Sequence, residues 1–325
     1  MNRSTGIVII GRNEGERLIR ALESSMSFCG NVVYVDSGSA DDSIAEAAKR
    51  NAFVVELDMT LPFTAARARN AGFEKLKALF PETAFVQFLD GDCEFIDGWL
   101  GHAVRAMEEN PDAGIVCGRL KERNPDRSIY NMLCDIEWDG QPGEIRECGG
   151  IFMTRSDLFD ALGGFRESLI AGEEPELCLR VRREGYSILR IENDMAWHDA
   201  NILHFSQWWK RALRAGHAYA EGAQLHGALP ERHWVKEARS NWLWGLGLPV
   251  ILIAALFDPF MIMLIIAYPL QMARIYRKSC VCRNTRERRL YALFCIISKF
   301  PQMLGQMKFI LNSLRGKASG LIEYK

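Results

Sequence analysis

Four short apolar runs separated by helical patterns constrain this chain more than any other feature. GIVII at 6–10, NVVYVD at 31–36, AFVVEL at 52–57 and AFVQFLD at 84–90 are followed by helical spacing over 14–26, 43–51, 63–80 and 98–110. Strands alternating with helices of this length predict an α/β domain, a mostly parallel sheet with helices on both faces. Ligands of such sheets sit at the carboxyl ends of the strands. The polar residues closing the strands are therefore the first site candidates: Arg12, Asn13 and Glu14 after the first, Asp36, Ser37 and Gly38 after the second, Asp90, Gly91 and Asp92 after the fourth.

The first strand is followed by no GxGxxG, and no GxxxxGK[ST] occurs in the 325 residues, which argues against dinucleotide binding and ATP hydrolysis by a glycine loop. Two carboxylates one residue apart at a strand end can instead share a hard divalent ion, Mn2+ or Mg2+, which removes their mutual repulsion. On that reading Cys93, a soft thiol, is set aside as core packing.

The last quarter of the chain has a different character. Residues 242–270 contain one charge, Asp258, and are apolar enough to cross a bilayer. Asp258-Pro259 interrupts them, because proline removes a helix hydrogen bond, and so predicts two short halves. Residues 274–289 carry seven Lys or Arg against one Glu, the composition of a cytoplasmic loop. With both flanks cytoplasmic, 242–270 is expected to be a re-entrant hairpin rather than a single crossing, and 290–314 an amphipathic helix at the interface. The expected division is 1–240 for the α/β domain and 241–325 for a membrane-attached helical region with affinity for anionic lipids. The nine cysteines form no CxxC pair, which fits a reducing cytoplasm, and 7–10 is too short an apolar run for a signal peptide.

Six segments in order resemble family 2 glycosyltransferases, inverting nucleotide-sugar enzymes with the GT-A fold: IVIIGRNEGERLIRALES, VVYVDSGSADDS, ARARNAG, FLDGD, CGGIFMTRSDLFDALGGF and GEEPELCLRVRREGY. The resemblance implies that Asp36 accepts a hydrogen bond from the nucleotide base, with Ser37 and Gly38 shaping the turn. Arg12, Asn13 and Glu14 would line the nucleotide pocket, and Arg67, Arg69 and Asn70 would offer at least one further donor contact. Asp92 would ligate the metal, Asp90 and Gly91 would meet ribose or metal-bound water, and His198 would complete the metal shell, with His204 in reserve. Gly149 and Gly150 belong to the acceptor-side segment. Trp208 and Trp209 could stack on the acceptor sugar, face lipid, or simply pack. The family's base is an Asp in an E-D pair, and here the pair is Glu173-Glu174, which puts the longer Glu174 at the base position. Pro175 is expected as the first helical residue.

These expectations converge on transfer of one sugar from a nucleotide diphosphate sugar to a hydroxyl of a lipid-linked saccharide at the cytoplasmic face of the cell membrane, in polysaccharide or glycolipid synthesis. Nucleic acid is not among the expected partners. A polyprenyl-phosphate glycosyltransferase, a nucleotidyltransferase and a non-catalytic membrane carbohydrate-binding protein are the alternatives.

Overall fold

The computed structural model describes residues 5–279, 282, 284–317, 320 and 322. The chain divides into two compact units, Met1–Asn124 with Glu137–Ala200, and Pro125–Ile136 with Asn201–Lys325.

In the first unit the order is β1 (Thr5–Gly11), α1 (Glu16–Met26), β2 (Val32–Asp36), α2 (Ser43–Lys49), β3 (Phe53–Glu56), α3 (Ala65–Leu79), β4 (Phe85–Asp90), β5 (Cys93–Phe95), α4 (Trp99–Glu109) and β6 (Ala113–Glu122). A helix, α5 (Ile129–Trp138), then leads to β7 (Gly143–Glu144), β8 (Phe152–Arg155), α6 (Ser156–Ala161), α7 (Glu173–Arg183) and β9 (Ser187–His198). Each of the four predicted strands and four predicted helices is present, with ends shifted by a residue or two, as fraying allows.

Among the described residues one sheet runs β3-β2-β1-β4-β8-β6-β9-β5, with β7 on β9. Pairing is parallel from β3 to β4 and antiparallel across β8. The parallel strands read as continuous apolar runs because both faces are covered: Ile7, Val8, Ile9, Val33, Tyr34, Val35, Val86 and Phe88 are all fully buried. Phe88 packs against the rings of Phe152, Phe159 and Phe165. The registers place Gly11 beside Asp36, and Ile10 beside Asp90, so the polar strand ends form one row.

The second unit contains α8 (Phe205–His226), α9 (Val235–Ala254), a 3-10 segment (Pro259–Ile266), α10 (Ala267–Lys278), α11 (Thr285–Ile297) and α12 (Lys299–Leu314). Its extent differs from the boundary expected at 240. Ser128 donates to the carbonyl of Ile202, Asn131 Oδ1 accepts from the Ile202 amide, and Tyr130 stacks on Trp208, so 125–136 and α8 belong with the C-terminal helices. The interruption expected at Asp258-Pro259 is present: the Asp258 side chain accepts from the amide of Phe260 and caps the next segment. Pro259–Lys278 is long and apolar enough to cross a membrane, and its apolar window is not buried in the protein. Where one helix was expected over 290–314 there are two, because Pro301 has no N–H to offer the carbonyl of Ile297 and the ladder breaks at Ser298. Of the expected basic segment 274–289, residues 280, 281 and 283 lie outside the described residues.

Candidate active site

The nucleotide-side loops are built by local hydrogen bonding. Asp36 is buried at the end of β2, where Oδ2 accepts from the amides of Gly38 and Ser39 at 2.9 and 2.8 Å and Oδ1 accepts from the Tyr34 hydroxyl at 2.9 Å. Gly38 has φ +80°, the left-handed turn a glycine adopts without penalty. The Ser37 amide donates to Gly11, tying this turn to β1. Asn13 Oδ1 accepts from the Ala40 amide, and the Asn13 amide donates to Ser39, so the two loops form one surface. Glu14 pairs with Arg17, and the Arg12 guanidinium lies over the Phe63 ring. The Gly91 amide donates to the Ile10 carbonyl, and a methyl at Gly91 would press on Glu14 and that carbonyl at 3.1 Å.

Arg69 organises the centre. Its Nη2 donates to Asp90 at 2.9 Å, and its Nη1 donates to Glu173 at 3.0 Å and to Glu174 at 3.1 Å. The guanidinium also lies over the Phe165 ring. Burial disfavours the charge, but Asp90, Glu174 and Glu173 outweigh it, so the Arg69 pKa is raised. Arg67 and Asn70, offered with Arg69 as candidate donor contacts, hydrogen-bond to neighbouring loops instead of joining this cluster. Arg67 donates to the carbonyls of Leu61 and Asp58, and Asn70 exchanges hydrogen bonds with the backbone of Phe165 and reaches Glu167. Helical phase explains the split: the buried side of α3 is Ala66, Arg69, Gly72, Phe73 and Leu76, and the flanking positions 67 and 70 are only partly covered.

The two glutamates open α7, after Gly172 reverses the chain at φ +83°. The helix therefore starts at Glu173, two residues before the expected start at Pro175; proline is tolerated there because N–H groups in a first turn have no helical partner. Glu173 is buried, while Glu174 remains partly open. Burial first, and then the neighbouring Glu173, push the Glu174 carboxyl up to about 7 against the opposing pull of Arg69. Gly150 makes room for the cluster: a methyl there would run into Arg69 Nη2 and lie 2.8 Å from Glu174 Oε1. Gly149 is exposed, with open space around it.

A second cluster lies at Asp92. Among the described residues the group able to hold a metal ion is Asp92, Cys93 and His198, whose ligand atoms lie within 4.8 Å of one another. His198 Nε2 is 3.2 Å from Asp92 Oδ2, and its ring meets Trp138 edge-on. Carboxylate oxygen and imidazole nitrogen suit a divalent ion such as Mn2+, and Asp92 and His198 bring one of each within 3.2 Å, so the donor set fits a metal. Asp90, expected to share the ion, is turned to Arg69 and stands outside this group. His204, the reserve ligand, instead begins α8 and is also outside it. Glu122, not singled out in the sequence, lies beside His198 across β6 and β9 and accepts from the amides of Asn124 and Ala200. Burial raises its pKa.

Trp208 is buried in the second unit between Tyr130, Phe205 and Phe294, and Trp209 leans on Phe205. Of the three roles open to Trp208, its surroundings are those of packing.

A parallel-centred sheet with an Asp-closed β2, an Asp-x-Asp after β4 and paired carboxylates at a helix start gathers its acidic groups along one row of strand ends. Residues 6–163 match the family model described as Glycosyl transferase family 2. Over those residues, just under half of the chain, the sequence is that of a glycosyltransferase domain, and the fold is GT-A-like α/β. No curated protein matches the sequence. Among solved structures the chain is similar to the mannosyltransferase PcManGT from Pyrobaculum calidifontis in complex with GDP-Man and Mn2+, at 16% identity and TM-score 0.63, over 95% of this chain and 87% of that one. It is also similar to S. aureus TarS, at 15% identity and TM-score 0.50, over 93% of this chain and 55% of that one.

Proposed function

We propose that this glycosyltransferase moves a single sugar from a nucleoside diphosphate donor to a hydroxyl of a lipid-linked saccharide, with inversion and with Glu174 as general base. The observation that carries the reading is Glu174 itself: a partly open carboxylate, beside a buried twin, fixed by Arg69 next to Asp90 and held near neutrality. A base is most effective when its pKa lies near the working pH. Direct displacement needs such a base, because the attacking hydroxyl must lose its proton as the new bond forms. An acceptor that is already a phosphate anion does not.

Asp36 and the loop around Asn13 receive the nucleotide, and Asp90, oriented by Arg69, meets the donor's ribose. Arg69 acts as a positioning residue that holds Glu174 and Asp90 from one guanidinium. Asp92 and His198 hold Mn2+ or Mg2+, which when bound offsets the negative charge of the diphosphate leaving group. The PcManGT complex with GDP-Man and Mn2+ supports the donor class and the metal.

Attachment to the cytoplasmic face of a membrane is supported by an exposed apolar row, Leu256, Phe257, Phe260, Met263 and Ile266. Arg and Lys residues around 274–289 add attraction to anionic head groups of about 1 kcal/mol per charge near the surface.

The test is transfer in mixed micelles to a saccharide-lipid acceptor and to bare polyprenyl phosphate. Glu174→Gln is expected to lower hydroxyl transfer by about 10²–10⁴-fold while leaving donor binding by calorimetry intact. Asp92→Asn is expected to weaken metal-dependent donor binding. Near-normal transfer by Glu174→Gln, or efficient transfer to the bare phosphate by that variant, would sink the base assignment.

A further inference from the structure

We propose that Cys93 is a third, sulfur ligand of the metal centre, and that the site consequently takes thiophilic divalent ions, Zn2+ and Co2+, in preference to Mn2+ and Mg2+. The inference rests on the metal reading of Asp92 and His198 given above. It assigns a chemical role to a residue that an oxygen-only reading of the Asp-x-Asp segment leaves in the core.

Strand register supplies the first argument. Cys93 and His198 are direct partners on antiparallel β5 and β9. Directly opposed residues project from the same face of a sheet, with Cβ atoms about 4.5–5.5 Å apart. Asp92 enters the same spot from the residue before, and its carbonyl accepts from the Asp199 amide at 3.1 Å, which pins the β4–β5 turn to the end of β9.

Side-chain placement supplies the second. Cys93 is buried, yet its Sγ lies 3.4 Å from Asp92 Oδ1 and donates to it rather than facing only apolar neighbours. Oxygen, sulfur and imidazole nitrogen lie within 4.8 Å of one another. Ligands about 2.0–2.3 Å from a shared ion are spaced on this scale. The third observation is that His198 turns Nε2 to Asp92 Oδ2 at 3.2 Å, so the imidazole faces the same carboxylate that the Cys93 thiol meets.

The chemistry follows from the donor set. Cysteine, histidine and aspartate together are ligands of zinc sites, and three protein ligands with one position left open is the donor count of catalytic zinc centres. Nitrogen and oxygen donors alone already favour Co2+ and Zn2+ over Mn2+, and a thiolate widens the gap because sulfur is a soft donor. Metal entry forms the sulfur–metal bond as the S–H bond breaks, and the thiol proton passes to solvent; no oxidation state changes.

The experiment uses full-length protein in detergent, with Co2+ as the probe, with and without a nucleoside diphosphate. The expected result is a near-ultraviolet sulfur-to-cobalt charge-transfer band in the wild type that disappears in Cys93→Ser. By calorimetry, the Zn2+ to Mn2+ affinity ratio should fall at least ~10-fold in that variant, the scale of losing even an outer-shell partner of a metal site. Co2+ binding without the band in the wild type, or an unchanged affinity ratio, overturns the sulfur ligand and leaves the Asp92–His198 reading standing. If wild type and His198→Ala alike bind none of these ions, both readings fall. Should Cys93→Ser not fold, the wild-type cobalt spectrum decides by itself.

Discussion

The two units use apolar residues in opposite ways. In the sheet-containing unit the largest of them are inside: Phe88, Phe152 and Phe159 are essentially without solvent contact. In the helical unit Leu256, Phe257 and Phe260 are about four-fifths exposed. The first unit buries its apolar surface on folding and brings its buried charges together at the strand ends, around Arg69. The second leaves large apolar side chains in the open. On the proposed membrane attachment, hydrophobicity would be a stability term in one unit and a binding term in the other.

Substitutions that cut across this difference test it. The largest effect on turnover is expected at the boundary between packing and chemistry. Gly150→Ala forces Arg69 and Glu174 apart, and turnover should fall by about 10²-fold, the scale for a misplacement of roughly 1 Å, with the circular dichroism spectrum unchanged. A normal rate in that variant would show that the Arg69–Glu174 contact is dispensable. Next, Phe88→Ala should cost about 3–5 kcal/mol in denaturant unfolding, whereas Phe257→Ser should cost almost nothing there. Equal losses would erase the contrast. In a flotation assay with anionic vesicles the order reverses: Phe257→Ser with Phe260→Ser should weaken binding by about 10- to 100-fold per ring, from roughly 1.5–3 kcal/mol for burying each. The smallest effect is in pH. Glu174 must be deprotonated to accept a proton, and its pKa is raised, so kcat should be suppressed below, and climb through, a pH of about 7. In Glu174→Asp, with a shorter side chain, the inflection should move; an identical profile would assign it to another group.

Much of this was legible in the chain because the parallel sheet writes its strands as unbroken apolar runs closed by polar residues. The positions of Asp36 and Asp92 could be read from where those strands stop, whereas His198 was singled out only through the family resemblance. Arg69 was harder to rank above Arg67 and Asn70, since all three sit in ARARN. The usable signal was phase: an arginine in line with Gly72, Phe73 and Leu76 occupies a buried stripe, and a buried charge needs fixed partners. Asp90 and Asp92 looked like one carboxylate pair, and only the structure turns one to Arg69 and the other to His198. Trp208 was ambiguous because its companions Tyr130 and Phe294 are distant in sequence. The boundary at 240 followed a change of composition, but 125–136 joins the second unit through contacts that composition does not record.

The pairing of β5 with β9 has a kinetic meaning. Cys93 and His198 are about a hundred positions apart, and they meet only when the last strand is laid against the edge of the sheet. Contacts of such long range are slow to form, because the intervening loop must be closed before they reward it. A chain still emerging from the ribosome at residue 190 can contain Asp36, Arg69, Asp90, Asp92 and Glu174 and still lack the imidazole across from Cys93. Binding of a divalent ion at that edge would therefore report completion of the sheet, as a clock that starts only when β9 has docked.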